Sequence, residues 1–196
     1  SFASELAARL GAGLRVFDAD VLASEDIRKN DPLRCYHCKK MILREAKKFA
    51  LSKGGAAVVE GSNADDSFDH RPGAKAVAEE GVGSPLAEAG LTKREIVALA
   101  RAAGLPNWSL PPSACNATRI PHGVPLDEKS LRMVAGAEGF LAVNGVMGAR
   151  VRLVGGDAKL EVDPSLFPRV ARMAEKIVGE FKRLGFGEVL LDLQGY

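Results

Sequence analysis

The 196-residue sequence is short of several things, and each shortage excludes a class of function. It holds only three cysteines, Cys35, Cys38 and Cys115. An odd, small number does not make the paired framework of a secreted disulfide protein, so a reducing, cytoplasmic compartment is expected. No apolar run approaches the roughly 18 residues of a membrane span. The start, Ser1-Phe2-Ala3-Ser4-Glu5, has no basic segment leading into an apolar one. Charge of one sign is also missing: Lys+Arg 27 against Asp+Glu 25 leaves +2. That balance argues against a nucleic-acid mantle or a membrane partner, and any basic site must be local. His37, His70 and His122 are scattered and no nucleophile elbow is present, which gives hydrolase chemistry little support. There is no internal repeat and no low-complexity tract. What remains, 46% hydrophobic and 27% charged, is the composition of an ordinary globular chain that folds without staples.

Read in order, Phe2, Leu6 and Leu10 mark a helical face, closed by Gly11-Ala12-Gly13 before an expected strand at 14–17. A helix running straight into a strand implies a further αβ unit upstream of residue 1. A polar stretch, 18–31, leads to the cysteine pair. From Tyr36 the pattern predicts a helix with Ile42, Ala46, Phe49 and Ala50 on its apolar side and Lys39, Lys40, Arg44, Lys47 and Lys48 largely opposite. The run 56–60 predicts a buried strand entering the polar turn Gly61-Ser62-Asn63-Ala64-Asp65-Asp66, and ligands of parallel α/β sheets sit at such strand ends. Asp69-His70-Arg71-Pro72-Gly73 reads as a turn, with a short helix from Ala74. Thr92-Lys93-Arg94-Glu95 is a capping box, so a helix starts there, burying Ile96, Leu99, Ala100 and Ala103 and closing at Gly104. The proline-rich stretch 105–125 reads as a domain boundary. Beyond it the pattern predicts helix 128–143, strands 149–154 and 158–162 around Gly155-Gly156-Asp157, helix 165–184 and strand 188–193, an αββαβ unit.

Three constellations could carry chemistry. Cys35 and Cys38 at Cys-x-x-Cys spacing, with Cys115, could hold zinc or an iron–sulfur cluster and leave one position open. A structural zinc completed by His37 or His122, or a redox disulfide with Cys115 as a bystander, would use the same residues. Glu138 falls within the helical stripe of Leu131, Val134, Ala135, Leu141 and Ala142. A carboxylate there needs a cation, Mg²⁺, a polar cleft or an edge reaching solvent. Arg150, Arg152 and Lys159 crowd like charge onto one hairpin face with Glu161, which suits a phosphate site or a solvated outer face.

Taken together, the blocks 31–40, 60–66, Arg71-Pro72-Gly73, 84–93, 113–121 and 191–196 resemble, in order, the LarE-type sulfur transferases of the PP-loop ATP pyrophosphatase superfamily. The resemblance implies an α/β fold: a Rossmann-like PP-loop domain, N-terminally incomplete, at 1–110, a linker at 111–125 and an αββαβ domain at 126–196. It implies insertion of sulfur into an ATP-activated carboxylate of a pyridinium mononucleotide, toward the nickel-pincer nucleotide cofactor. In one version of the family a single cysteine gives up its own sulfur, and in the other three cysteines hold a [4Fe–4S] cluster whose free iron carries a hydrosulfide. Cys35, Cys38 and Cys115 match the latter. By resemblance Cys115 and Glu138 are catalytic, and Arg150 and Arg152 clamp the substrate phosphate. Gly61, Asn63, Asp65 and Asp66 form the nucleotide-side turn, with Arg119 just beyond the cysteine. ATP with Mg²⁺, a small-molecule nucleotide substrate and a homo-oligomer with the Arg150/Arg152 face near a subunit contact complete the expectation. The family's Ser-Gly-Gly-x-Asp-Ser loop has no counterpart in residues 1–196, from which a truncated start, or loss of adenylation, is expected. The other readings are a non-catalytic cluster- or zinc-binding sulfide carrier and a tRNA thiolase-like enzyme, the second lacking a basic RNA-binding module.

Overall fold

The computed structural model describes residues 2–67, 72–109 and 114–196. The turn expected at Asp69-His70-Arg71, the position of Ser113 and the side chain of Phe2 lie outside the described residues. The elements run α1 (Phe2–Arg9), α2 (Glu25–Arg28), α3 (Arg34–Ser52), α4 (Pro72–Glu79), α5 (Pro85–Glu88), α6 (Lys93–Ala102), α7 (Glu128–Val143), β1 (Arg150–Val154), β2 (Asp157–Glu161), α8 (Phe167–Arg172), α9 (Ala174–Leu184) and β3 (Val189–Leu191). The chain is mixed α/β, and it divides into two compact units, Ser1–Val21 with Leu33–Leu110, and Leu22–Pro32 with Pro111–Tyr196.

In the first unit α3 packs along α4, and the contact is polar. Lys40 reaches Glu79 at 2.5 Å, Arg44 reaches Glu80 at 2.8 Å, and Lys47 donates to the Glu80 carbonyl at 2.7 Å. The expected faces of α3 are only partly kept: the basic side also meets a neighbour, Leu43 is the buried apolar residue and Ile42 is exposed, while Ala46, Phe49 and Ala50 are half-buried, Phe49 against the Phe17 ring. Glu79 and Glu80 supply the contact on the basic side, and they lie in a different segment, so no pattern within α3 reveals it. The two expected strands do not form. Residues 14–17 carry no strand, and Leu14 and Val16 are exposed. The run 56–60 makes one isolated parallel bridge, Val59 with Gly83, and Val59 is 58% exposed. Apolar side chains favour a strand only where a neighbouring backbone completes the ladder, and among the described residues of this unit none does. The capping box at Thr92 and Glu95 is present, and Gly104 follows the helix at φ +66. Yet α6 has no buried residue, and Leu99 is 57% exposed, so a well-started amphipathic helix is not thereby a covered one.

The second unit has a conventional core. Met133, Ala137 and Leu141 of α7, Val151 of β1, Leu160 of β2, and Ile177 and Phe181 of α9 pack as one cluster. Burial of each large side chain contributes about 1.5–3 kcal/mol. Of the stripe expected on α7, Val134 and Leu141 are buried and Ala135 is exposed. β1 and β2 pair antiparallel with Val151 opposite Leu160, and β3 joins β2 in parallel, giving the order β1-β2-β3. Gly155 and Gly156, at φ 59 and 99, make the two-residue turn that requires positive φ at both positions. The helix expected over 165–184 is interrupted at Met173, φ −104 and ψ 6, which separates α8 from α9. The segment carrying α2 is stitched in by Asn30, fully buried at φ 55, whose amide donates to the carbonyls of Pro121 and Val124, both at 2.9 Å.

Candidate functional site

Each unit carries its own share of the expected site residues. In the first, α3 begins at Arg34, so Cys35 and Cys38 both ride on its opening turns, three apart and on neighbouring positions of one face. Helix starts carry unpaired amide N–H groups that suit electron-rich ligands. Neither forms a disulfide; Cys35 is exposed and Cys38 half-buried, and the Arg34 guanidinium lies 3.7 Å from the Cys35 sulfur.

Beside Cys35 opens a cavity of about 330 Å³, lined by Lys39, Glu60, Ser62 and Asp66 on its polar side and by Pro72, Ala74 and Val77 among its apolar residues. Gly73 also lines it. Glu60 organises the polar side. Its carboxylate accepts from Lys39 at 2.9 Å, Ser84 Oγ at 2.6 Å and the Ser62 amide at 3.0 Å. Burial alone would raise its pKa, but the hydrogen bonds from Ser62, Ser84 and Lys39 outweigh this and bring it down to about 2. Of the turn residues expected here, Asp66 lines the cavity. Its carboxylate accepts from the Asn63 backbone at 3.0 Å and side-chain amide at 3.1 Å. Asp65 instead accepts from the Lys93 amide at the start of α6, and Gly61 has open space around its Cα. Sequence reasoning missed Lys39, Glu60 and Ser84. The available signal was a lone carboxylate, Glu60, closing an apolar run.

In the second unit Cys115 is an exposed free thiol at the entry to a single 3₁₀ turn, Asn116–Arg119. Thr118 folds that turn back, its hydroxyl donating to the Cys115 carbonyl at 2.7 Å and accepting from Arg119 at 2.7 Å. Arg119, only 5% exposed, is neutralised by Glu138 at 2.5 Å, and Glu138 also accepts from the Val151 amide at 2.9 Å. The carboxylate within the α7 stripe therefore meets an internal cation, the first of the partners considered for it. Next to it Arg152 binds Glu161 at 2.7 Å and the Thr118 carbonyl at 3.2 Å. Lys159 reaches Glu161 at 3.5 Å and Asp192 at 2.6 Å. Arg150 stands apart: its guanidinium lies 3.3 Å from the centroid of the Tyr196 ring. Burial first, then repulsion from Arg119 and Arg152, lowers its pKa. Thus Arg119, Glu138, Arg150 and Arg152 are brought together beside the Cys115 turn, with Thr118 as a tie that the sequence did not reveal.

Within either unit, among the described residues, no three His, Cys, Asp or Glu side chains gather as a metal-binding group. No described helix is long and apolar enough to cross a membrane. The geometry defines an α/β protein with three cysteines outside any disulfide and an arginine-rich strand face.

No family model matches the chain. It is 34% identical over 194 residues to the pyridinium-3,5-bisthiocarboxylic acid mononucleotide synthase of Lactiplantibacillus plantarum, a match covering 99% of this chain and 70% of that protein. An uncharacterized protein of Synechocystis is 32% identical over 95% of the chain and 70% of its own length. One of Methanocaldococcus jannaschii is 34% identical over 90% of the chain and 69% of its own length. The chain belongs to the LarE-type sulfur transferase family.

Proposed function

We propose that the chain is a [4Fe–4S]-dependent sulfur transferase that converts an ATP-activated carboxylate of a pyridinium mononucleotide into a thiocarboxylate, in the cytoplasm, during nickel-pincer cofactor biosynthesis. The observation that carries the reading is the set of three cysteines outside any disulfide, Cys35, Cys38 and Cys115, in a chain related over 99% of its length to a bisthiocarboxylic acid mononucleotide synthase. Soft thiolates are the donor chemistry of iron–sulfur clusters, and two of the three stand one helical turn apart on α3. Cys35, Cys38 and Cys115 would hold the cluster. When bound, it supplies a hydrosulfide on the iron that no cysteine ligates.

The remaining steps fall to the chain's own residues. Arg150 and Arg152 hold the substrate phosphate, and Glu138 keeps Arg119 fixed beside the Cys115 turn. The Lys39–Glu60 pair and Asp66 form the polar wall next to Cys35. At the activated carboxylate a carbon–sulfur bond forms while the carbon–oxygen bond to AMP breaks, and AMP leaves with the electron pair. Adenylation by ATP and Mg²⁺ is part of this reading, together with a PP-loop-like domain at 1–110, the 111–125 linker, the C-terminal domain and a homo-oligomer.

Anaerobic purification tests it. The expected protein is brown with about four irons per chain, and Cys35→Ala loses most of the iron and all thiocarboxylate formation. A colourless protein with one zinc overturns the cluster. An iron-loaded protein that releases sulfide but never forms thiocarboxylate from an adenylated mononucleotide is a sulfide carrier instead.

A further inference from the structure

Four cations crowd the outer face of the hairpin and the 3₁₀ turn beside it: Arg119, Arg150, Arg152 and Lys159. Three have carboxylate partners. Arg119 has Glu138, Arg152 has Glu161, and Lys159 has Glu161 and Asp192. The residue directly across the ladder from Arg150 is Glu161, the natural cross-strand partner. Its carboxylate is already taken by Arg152 and Lys159, and Glu138 by Arg119 and the Val151 amide. Among the described residues Arg150 has no carboxylate partner. What it has is a ring: its Cζ lies over Tyr196, 3.3 Å from the ring centroid, too close for the guanidinium to stand on edge, so the two planes stack. A stack on the flat face leaves the in-plane N–H groups, the ones that form a fork with an oxyanion, directed outward.

The position of Tyr196 is fixed by backbone. Its amide donates to the Val162 carbonyl at 3.1 Å. Gly195 precedes it at φ 75, where an added Cβ would lie 2.9 Å from Pro164 and from the Val162 carbonyl oxygen. Only glycine passes so close, and the passage sets Tyr196 over Arg150.

We propose that Tyr196 is a positioning residue for the substrate phosphate: its ring holds the Arg150 guanidinium flat, with an open edge toward the oxyanion. The proposal rests on the reading of Arg150 and Arg152 as the phosphate clamp. It adds that the stack, and not charge alone, sets the strength of that clamp. Arg150 loses the rotamer freedom of a long side chain before the ligand arrives, so less entropy is lost on binding.

The test uses the full chain with nicotinic acid mononucleotide as probe and the matching riboside, which lacks the phosphate, as control, by isothermal titration calorimetry. Tyr196→Ala is expected to weaken mononucleotide binding about tenfold and to leave riboside binding unchanged, while Tyr196→Phe, which keeps the ring, binds like wild type. Tyr196→Leu, which fills the volume without a π face, should match Tyr196→Ala and decides the matter if the alanine variant does not fold. Wild-type affinity in Tyr196→Leu, or a loss in Tyr196→Phe as large as in Tyr196→Leu, overturns the stack. Arg150→Ala separates the layers: if it leaves mononucleotide binding unchanged, the clamp itself is wrong. If it weakens binding while Tyr196→Leu does not, only the positioning role fails.

Discussion

The two units solve the folding problem differently. In the second, α7, α9 and the hairpin close over one apolar cluster whose central members, Leu141, Val151, Leu160 and Phe181, are at most 1% exposed. In the first, the buried apolar side chains among the described residues are Leu43, Ala76 and Val82. There the α3–α4 contact is a row of ion pairs, and Leu14, Val16, Leu51, Val59 and Leu99 stay exposed. Exposed ion pairs contribute little each, so the first unit rests on many weak contacts and the second on a few strong ones. The chemistry follows the same division. Cys35 and Cys38 sit on the helix held by charges, whereas Arg119, Arg150 and Arg152 are braced against a packed sheet.

The sharpest way to break this contrast is Phe181→Ala. Phe181 is fully buried, and its truncation should cost about 3–5 kcal/mol. Equilibrium denaturation would show it, and amide exchange in α7 and α9 should accelerate together. A loss under 1 kcal/mol would mean that the cluster is not what holds this unit. The next effect lies at the polar edge of the same unit. Glu138→Ala leaves Arg119, 5% exposed, without its carboxylate and should cost about 3 kcal/mol. The double variant Arg119→Met with Glu138→Leu should recover most of the loss, because the penalty lies in an unpaired buried charge and not in the absent pair. If the double variant is as unstable as the single one, the pair contributes net stability.

The same contrast governs what could be read in advance. The second unit was legible because its signals are local and agree: helical period over 128–143, strict alternation in the hairpin, a Gly-Gly turn. The demand of Glu138 for a cation was legible too, from a carboxylate within an apolar stripe. Which cation answered it was not, since Arg119 comes from another segment. In the first unit the local signals were of equal quality, yet they misled. The runs 14–17 and 56–60 have strand composition, but a strand is made by its neighbour, and pairing is not written in either run. The basic side of α3 was given partners by Glu79 and Glu80, and α6 was begun by a well-formed capping box yet left uncovered. The Lys39–Glu60 wall of the cavity and the Ser84 hydroxyl that holds Glu60 come from three separate segments, so no spacing rule reaches them.

Glu60 offers the smallest but most selective effect. Its pKa is lowered from 4.5 to about 2 in the folded chain, so folding is favoured by the ionised form. A carboxylate shifted this way stabilises the fold fully above about pH 4.5 and loses that contribution as pH falls toward 2. Glu60→Gln should therefore be less stable than wild type at neutral pH, with a gap that stays level down to about pH 5 and closes below it. Amide exchange can locate the gap as well as size it. With Glu60 joined to Lys39, Ser62 and Ser84, all in the first unit, the variant should speed exchange in α3 and leave α7 and α9 as they are. A gap that persists unchanged at pH 3, or one that spreads equally to α9, would show that the cavity wall does not hold the cysteine helix in place.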